Sequence, residues 1–269
     1  MTSTHPALAP RPATGGRAAG QGRALRLRRA GPAEPGVRTV LLHGLGGGPA
    51  TWNAFAALAP PRLELWEADL PWSAVGTREW TLQPDPGRWV ADAAEGAEVV
   101  IAHSFAANLL LESLARGLKV GAAVLVAPFY RASPAEFDWA TIESYLAGFH
   151  TILDHGLRVT SGDRLPPDTR HDMAVKLRER LGPYSWMRFF EAYLRSPLVD
   201  TAAVTTPCLV VSGRDDRAAP PRDGRALAGA LPRARFETLA AGHLPMIEQA
   251  QAFAELVGDF VSAHTLEIT

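Results

Sequence analysis

Short β-rich runs, most of them apolar and rich in Val, Leu, Ile and Ala, alternate with helix-period segments along most of the chain. The runs are Ala24 to Arg29, Arg38 to Leu42, Leu63 to Ala68, Glu98 to Ala102, Ala122 to Ala127, Cys208 to Ser212 and Ala234 to Leu239. Between them, helices are predicted at about Thr51 to Leu58, Arg88 to Glu95, Phe105 to Arg116, Arg222 to Leu231 and Met246 to His264. The last of these carries Met246, Ile247, Ala250, Phe253, Ala254, Val257 and Phe260 at the spacing of one helix face. Continuous apolar strands joined by helices form a mostly parallel, doubly wound sheet, because only then are both strand faces covered. Such sheets keep their chemistry in the loops at the carboxyl ends of the strands.

From about residue 130 to 200 the alternation stops. This stretch reads as helical, with breaks predicted at Gly156, Gly162, Pro166-Pro167 and Gly182-Pro183, and it holds all four tyrosines of the chain. Phe137, Phe149, Phe189, Phe190, Trp139 and Trp186 fall here too. Aromatics at this density either build the core of a helical subdomain or line an apolar pocket over the strand ends. The organisation expected is therefore a tail at 1–23, an α/β core at 24–129 and 201–269, and a helical cap at 130–200.

The 269 residues carry a formal net charge of −1, so no excess of charge points to nucleic acid or an acidic membrane surface. No apolar stretch reaches the length of a membrane span. The first 23 residues have three arginines, no acidic residue and no apolar signal core, a composition expected of a disordered tail rather than a secretory signal. Cys208 is the only cysteine; it excludes an intrachain disulfide and reads as a buried, inert thiol. A cytoplasmic protein is expected. Its histidines show no zinc-ligand spacing, and no metal or organic cofactor is called for.

Four segments could carry chemistry. In Ala102-His103-Ser104-Phe105-Ala106 a strand ends, a serine follows and a helix starts at once, which strains the serine backbone and lifts its hydroxyl above the sheet. The residues two before and two after such a serine must be small; here both are alanine where glycine is usual. His43-Gly44-Leu45-Gly46-Gly47-Gly48 follows a strand and can turn backbone N–H groups toward an anion. It lacks the lysine and the register of a phosphate-binding loop, and His43 reads as a structural residue at its base. Gly213-Arg214-Asp215-Asp216 ends another strand with two carboxylates. Ala240-Ala241-Gly242-His243-Leu244-Pro245 places a histidine between the last strand and the last helix.

Taken together, these segments resemble the α/β-hydrolase superfamily over most of the chain from residue 24. The order serine, acid, histidine is the order of that fold. In the family the acid stands three residues after the turn glycine and four before a proline, which Gly213 and Pro220 assign to Asp216, with Asp215 in reserve. The resemblance implies Ser104 as nucleophile, His243 as general base and Asp216 as the orienting acid, with oxyanion donation from the N–H groups of Leu45 and Phe105. It also implies a helical cap inserted after the sixth strand. The stretch Gly242 to Glu248 with Phe253 resembles the cap-bearing esterases, the meta-cleavage-product hydrolases and the haloperoxidase-like esterases.

The reaction expected is hydrolysis of a carboxylic ester or thioester of an apolar small molecule through an acyl-Ser104 intermediate. C–C bond hydrolysis stands as an alternative, as does a non-hydrolytic enzyme or ligand receptor of the same fold. Phe129, Trp139, Tyr145, Trp186, Phe189, Phe190 and Leu244 are the expected pocket residues.

Overall fold

A computed structural model of the chain describes residues 26–31 and 36–265; the tail expected at 1–23 lies outside these. Among the described residues, seven strands form one sheet: β1 (Arg26–Ala30), β2 (Val37–Leu42), β3 (Leu63–Asp69), β4 (Val99–His103), β5 (Ala122–Val126), β6 (Cys208–Gly213) and β7 (Ala234–Leu239). Their spatial order is β1-β3-β2-β4-β5-β6-β7. All neighbours pair in parallel except β1, which runs antiparallel to β3. The strand order reverses between β2 and β4, so the loops that leave these two strands diverge and open a crevice between them.

Two apolar layers clothe the sheet because successive strand residues face opposite sides. On one side Val40, Leu42, Val100, Ala102, Leu125 and Val210 pack under α2 (Gly87–Ala94), α3 (Phe105–Ala115) and α6 (Pro221–Ala230). On the other, Leu41, Val99, Ile101, Val124 and Leu209 meet α1 (Asn53–Leu58), α7 (Pro245–Glu248) and α8 (Ala250–Thr265). Cys208 is buried in the first layer and burial pushes its thiol up to about 12. It is therefore neutral and unreactive at physiological pH.

Two long helices, α4 (Trp139–Ser161) and α5 (Pro167–Arg195), lie between β5 and β6. The insertion thus follows the fifth strand of this chain and not the sixth, since only five strands precede it among the described residues. Helix α4 starts at Asp138, whose carboxylate accepts the Thr141 N–H at 2.7 Å, and ends where Gly162 takes a positive φ of 55°. The break expected at Gly156 does not occur; the helix runs through it, as an interior glycine weakens a helix without ending it. At Gly182 (φ 73°) the two halves of α5 meet in a kink, with Pro183 opening the second half. The helix expected from Met246 to His264 is likewise divided. Gln249 leaves helical geometry and its side chain bonds the Ala240 carbonyl. No helix among the described residues is long and apolar enough to cross a membrane.

Candidate active site

Ser104 stands between β4 and α3 with φ 56° and ψ −122°, a conformation that costs on the order of 1–3 kcal/mol in a non-glycine residue. The sheet holds it there: the Ser104 N–H donates to the Val126 carbonyl at 2.8 Å, and the Ser104 carbonyl accepts from Ala107 at 2.8 Å as α3 begins. The loop after β2 presses against this turn. A Cβ added to Gly44 would lie 3.0 Å from the Ser104 Cβ and 2.9 Å from His103, so the second position of the His-Gly pair has no room for a side chain.

The three residues expected to act together are brought together. The His243 Nε2 lies 3.0 Å from the Ser104 Oγ, and the His243 Nδ1 lies 2.7 Å from the Asp216 Oδ2. All three are buried. The other Asp216 oxygen accepts the N–H groups of Ala218 (2.8 Å) and Ala219 (3.0 Å), so the carboxylate cannot swing from the ring without losing them. Burial alone would raise the Asp216 pKa; the adjacent His243 and these N–H donors outweigh it and hold the group below the usual carboxylate range. Asp215 is exposed, and it is its backbone N–H that is engaged, donating to the Ala241 carbonyl at 2.9 Å.

A depressed carboxyl has a consequence for stability. Its contribution is complete above the unfolded-state pKa of about 3.9 and is lost as pH falls through the lower folded value. Thermal melts of the wild type and of Asp216→Asn should therefore differ by a constant amount above about pH 5. The gap should narrow below about pH 4 as the wild-type carboxylate takes up its proton. A constant gap down to pH 3 would contradict the ionised Asp216 drawn here.

Leu45 lines the cavity beside Ser104 and Phe105 opens α3. Among the described residues neither backbone N–H donates to a backbone carbonyl. Beneath them His43 is fully buried and holds the loop base. Its Nδ1 donates to the Gly44 carbonyl, its Nε2 accepts the Leu70 N–H, and burial lowers its pKa to about 4.

Two residues with a bearing on His243 had no clear signal in the sequence. His103 donates from Nε2 to the His243 carbonyl at 2.8 Å; burial, then the neighbouring His243 ring, lower its pKa to about 3 and keep it neutral. His155, from α4, lies against Arg158 through its Nδ1 at 3.1 Å, and its Nε2 stands 3.4 Å from both the His243 backbone N–H and the Glu248 carboxylate. The same Glu248 oxygen accepts the N–H groups of Gly242 and Leu244 on either side of His243. Both histidines come from elements remote in sequence, so spacing along the chain does not reveal them.

A cavity of about 140 Å³ opens over Ser104. Phe129, Phe189 and Leu244 line it, as expected. Tyr145 does not; it borders a neighbouring groove and bonds the Tyr193 hydroxyl and the Ala218 carbonyl, both at 3.1 Å. Trp186 and Phe190 stack on each other at 4.8 Å inside the aromatic core of the insertion. Trp139, in the first turn of α4, is 79% exposed. Composition located the aromatics without giving their direction. The wall is instead a stripe on α4, Phe149, Ile152, Leu153, Gly156, Leu157 and Thr160, facing Leu177 of α5. Its i, i+3, i+4, i+7 spacing was present in the sequence.

These placements predict a contrast in stability. Phe189→Ala should cost about 3–5 kcal/mol, because Phe189 is buried against Phe105 and Phe129. Trp139→Ala should stay within about 0.5 kcal/mol. Urea denaturation of both variants checks this.

The alpha/beta hydrolase family model matches residues 39–256. No curated protein matches the sequence. Among solved structures, the enol-lactonase from Burkholderia xenovorans LB400 is similar at 21% identity and a TM-score of 0.60, covering 89% of this chain and 96% of its own. A variant of the meta-cleavage product hydrolase from Pseudomonas fluorescens IP01 gives 20% identity and a TM-score of 0.63, covering 89% of this chain and 94% of its own. A thermophilic esterase from Thermogutta terrifontis gives 18% and 0.62, covering 90% and 94%. At these identities the structures speak for the fold, and with the family match they lead to one conclusion: the chain belongs to the alpha/beta hydrolase family.

Proposed function

We propose that the protein is a serine hydrolase that cleaves a carboxylic ester or thioester of an apolar small molecule through an acyl-Ser104 intermediate, without a cofactor. One observation carries the reading: the unbroken hydrogen-bonded chain from the Ser104 Oγ through His243 to Asp216, at 3.0 and 2.7 Å, on a strained strand-to-helix turn. In this reading His243 takes the Ser104 proton as the Oγ attacks the substrate carbonyl. Asp216 holds the Nδ1–H tautomer and stabilises the imidazolium, and the N–H groups of Leu45 and Phe105 receive the oxyanion. The tetrahedral intermediate collapses, the leaving group takes the proton from His243, and water activated by the same ring releases the acid.

Helices α4 and α5 act as the cap in this scheme. Their apolar stripe gives the acyl part a dry wall, which strengthens the polar contacts at the carbonyl. The test is turnover of nitrophenyl esters and acyl thioesters, wild type beside Ser104→Ala. Hydrolysis by the wild type with near-background rates in the variant is expected. Equal rates in the two would overturn the proposal.

A further inference from the structure

Helix α4 carries two glycines that its own geometry does not require. Gly148 and Gly156 both lie inside the helix, neither has a positive φ, and a Cβ added to either would meet nothing within 4 Å. Glycine is the poorest interior helix residue after proline, so alanine would serve the fold better at both positions. Each glycine instead borders a space. Gly156 lines the apolar cavity over Ser104, and Gly148 lines a groove of about 900 Å³ beside it. The two lie about 12 Å apart along the helix. Between them Ile152 and His155 border both spaces, and His243 closes the common wall.

The two spaces differ in chemistry. The cavity walls are mostly aliphatic and aromatic, and its volume is close to that of an engineered apolar cavity that takes benzene, roughly 150 Å³. The groove presents Arg131, Arg158, Arg217, Asp154 and Asp215. Donors and acceptors of both signs suit a hydrogen-bonding group with no large net charge.

We propose that Gly156 and Gly148 size the site for a two-part substrate. A short apolar acyl chain runs past Gly156, and a large polar carrier alcohol or thiol lies in the groove past Gly148. This rests on the hydrolase reading above and adds the substrate class to it. The direction follows from the proton. The bond from the Ser104 Oγ to the acyl carbon forms, and the bond from that carbon to the leaving oxygen or sulfur breaks. The proton taken from Ser104 passes through the His243 Nε2 to that leaving atom. The carbonyl oxygen is held on the Leu45 side, in the apolar cavity, whereas the leaving atom must face His243, which borders the groove as well as the cavity and so gives that atom and its carrier a way out of the apolar space.

The experiment measures kcat/KM for nitrophenyl esters from acetate to decanoate, and for butyryl thioesters of ethanethiol and pantetheine, in wild type, Gly156→Val and Gly148→Leu. Melting temperatures are followed throughout, with Gly156→Ala and Gly148→Ala as milder variants. The hexanoate-to-acetate ratio should fall about tenfold or more in Gly156→Val, and the pantetheine-to-ethanethiol ratio by a similar factor in Gly148→Leu. Both alanine variants should melt about 2 °C higher than the wild type. Ratios that stay at the wild-type value in folded variants overturn the inference and leave the hydrolase reading intact. A wild type that turns over none of these compounds overturns that reading and the inference with it.

Discussion

Asp216→Asn should lower kcat by about 10⁴-fold while the protein stays folded. The amide is nearly isosteric with the carboxylate, so the turn after β6 should keep its shape, with the side-chain oxygen still available to Ala218 and Ala219. It has no charge to balance an imidazolium. If that oxygen stays with Ala218 and Ala219, its NH₂ faces the His243 Nδ1, which favours the tautomer that cannot accept the Ser104 proton. Asp215→Asn is the companion experiment. Its carboxylate is exposed and one residue out of reach of His243, so its kcat should remain within about twofold of wild type, as expected of a screened surface charge. An equal loss in both variants would return the assignment of the acid to an open choice between the two. Steady-state kinetics on one nitrophenyl ester, with circular dichroism to verify folding, are sufficient.

Gly213→Ala should have the largest structural effect of any single methyl group near the site. A Cβ at Gly213 would stand 1.8 Å from the Gly242 carbonyl oxygen and 2.5 Å from that of Ala241. Both are backbone atoms, so no side-chain rotation relieves the contact. The loops after β6 and β7 must then separate, and these loops carry Asp216 and His243. A loss on the order of 3 kcal/mol in stability is expected from such overpacking, together with a fall in activity larger than the change in folded fraction explains. A chemical denaturation curve and a rate measured well below the melting temperature separate the two contributions. Wild-type stability in Gly213→Ala would mean that the two loops are held less closely than described.

The same glycine shows why the ends of the strands were legible before the fold was known. Ser104, Asp216 and His243 each follow a short apolar run, and a parallel sheet brings the carboxyl ends of its strands to one edge. Gly213, Asp216 and Pro220 added a spacing with a physical basis: a close backbone approach, a carboxylate in the turn, and a proline before the first turn of α6. Strand limits were recovered nearly residue by residue because the runs are continuous and bounded by turn residues.

The helical insertion was legible as a region but not in its interior. An aromatic residue on a helix carries no label for the side it faces, and Trp139, Trp186 and Phe190 show the outcome: one in solvent and two in the aromatic core of the insertion. The stripe from Phe149 to Thr160 held the better signal, since periodicity encodes direction where composition does not. Gly156 was read as a helix break because glycine is a poor helix former; the packing of α4 against α5 overrides that preference. Five runs already precede residue 130 in the sequence, so the place of the insertion after the fifth strand was legible there, and the count of six came only with the family resemblance. The division of the last helix at Gln249 depends on tertiary contacts that no local pattern specifies. His155 belongs to the same class. Its partner Glu248 lies 93 positions away in sequence and meets it only when α4 folds onto the loop after β7.

Intact-mass and peptide mass spectrometry of the folded protein after reaction with a fluorophosphonate provides the most direct test of Ser104 as a nucleophile activated by His243. A single phosphonyl adduct on the peptide containing Ser104 is predicted, absent in Ser104→Ala and slowed by orders of magnitude in His243→Ala. An adduct on another residue, or equal labelling of Ser104→Ala, would contradict it.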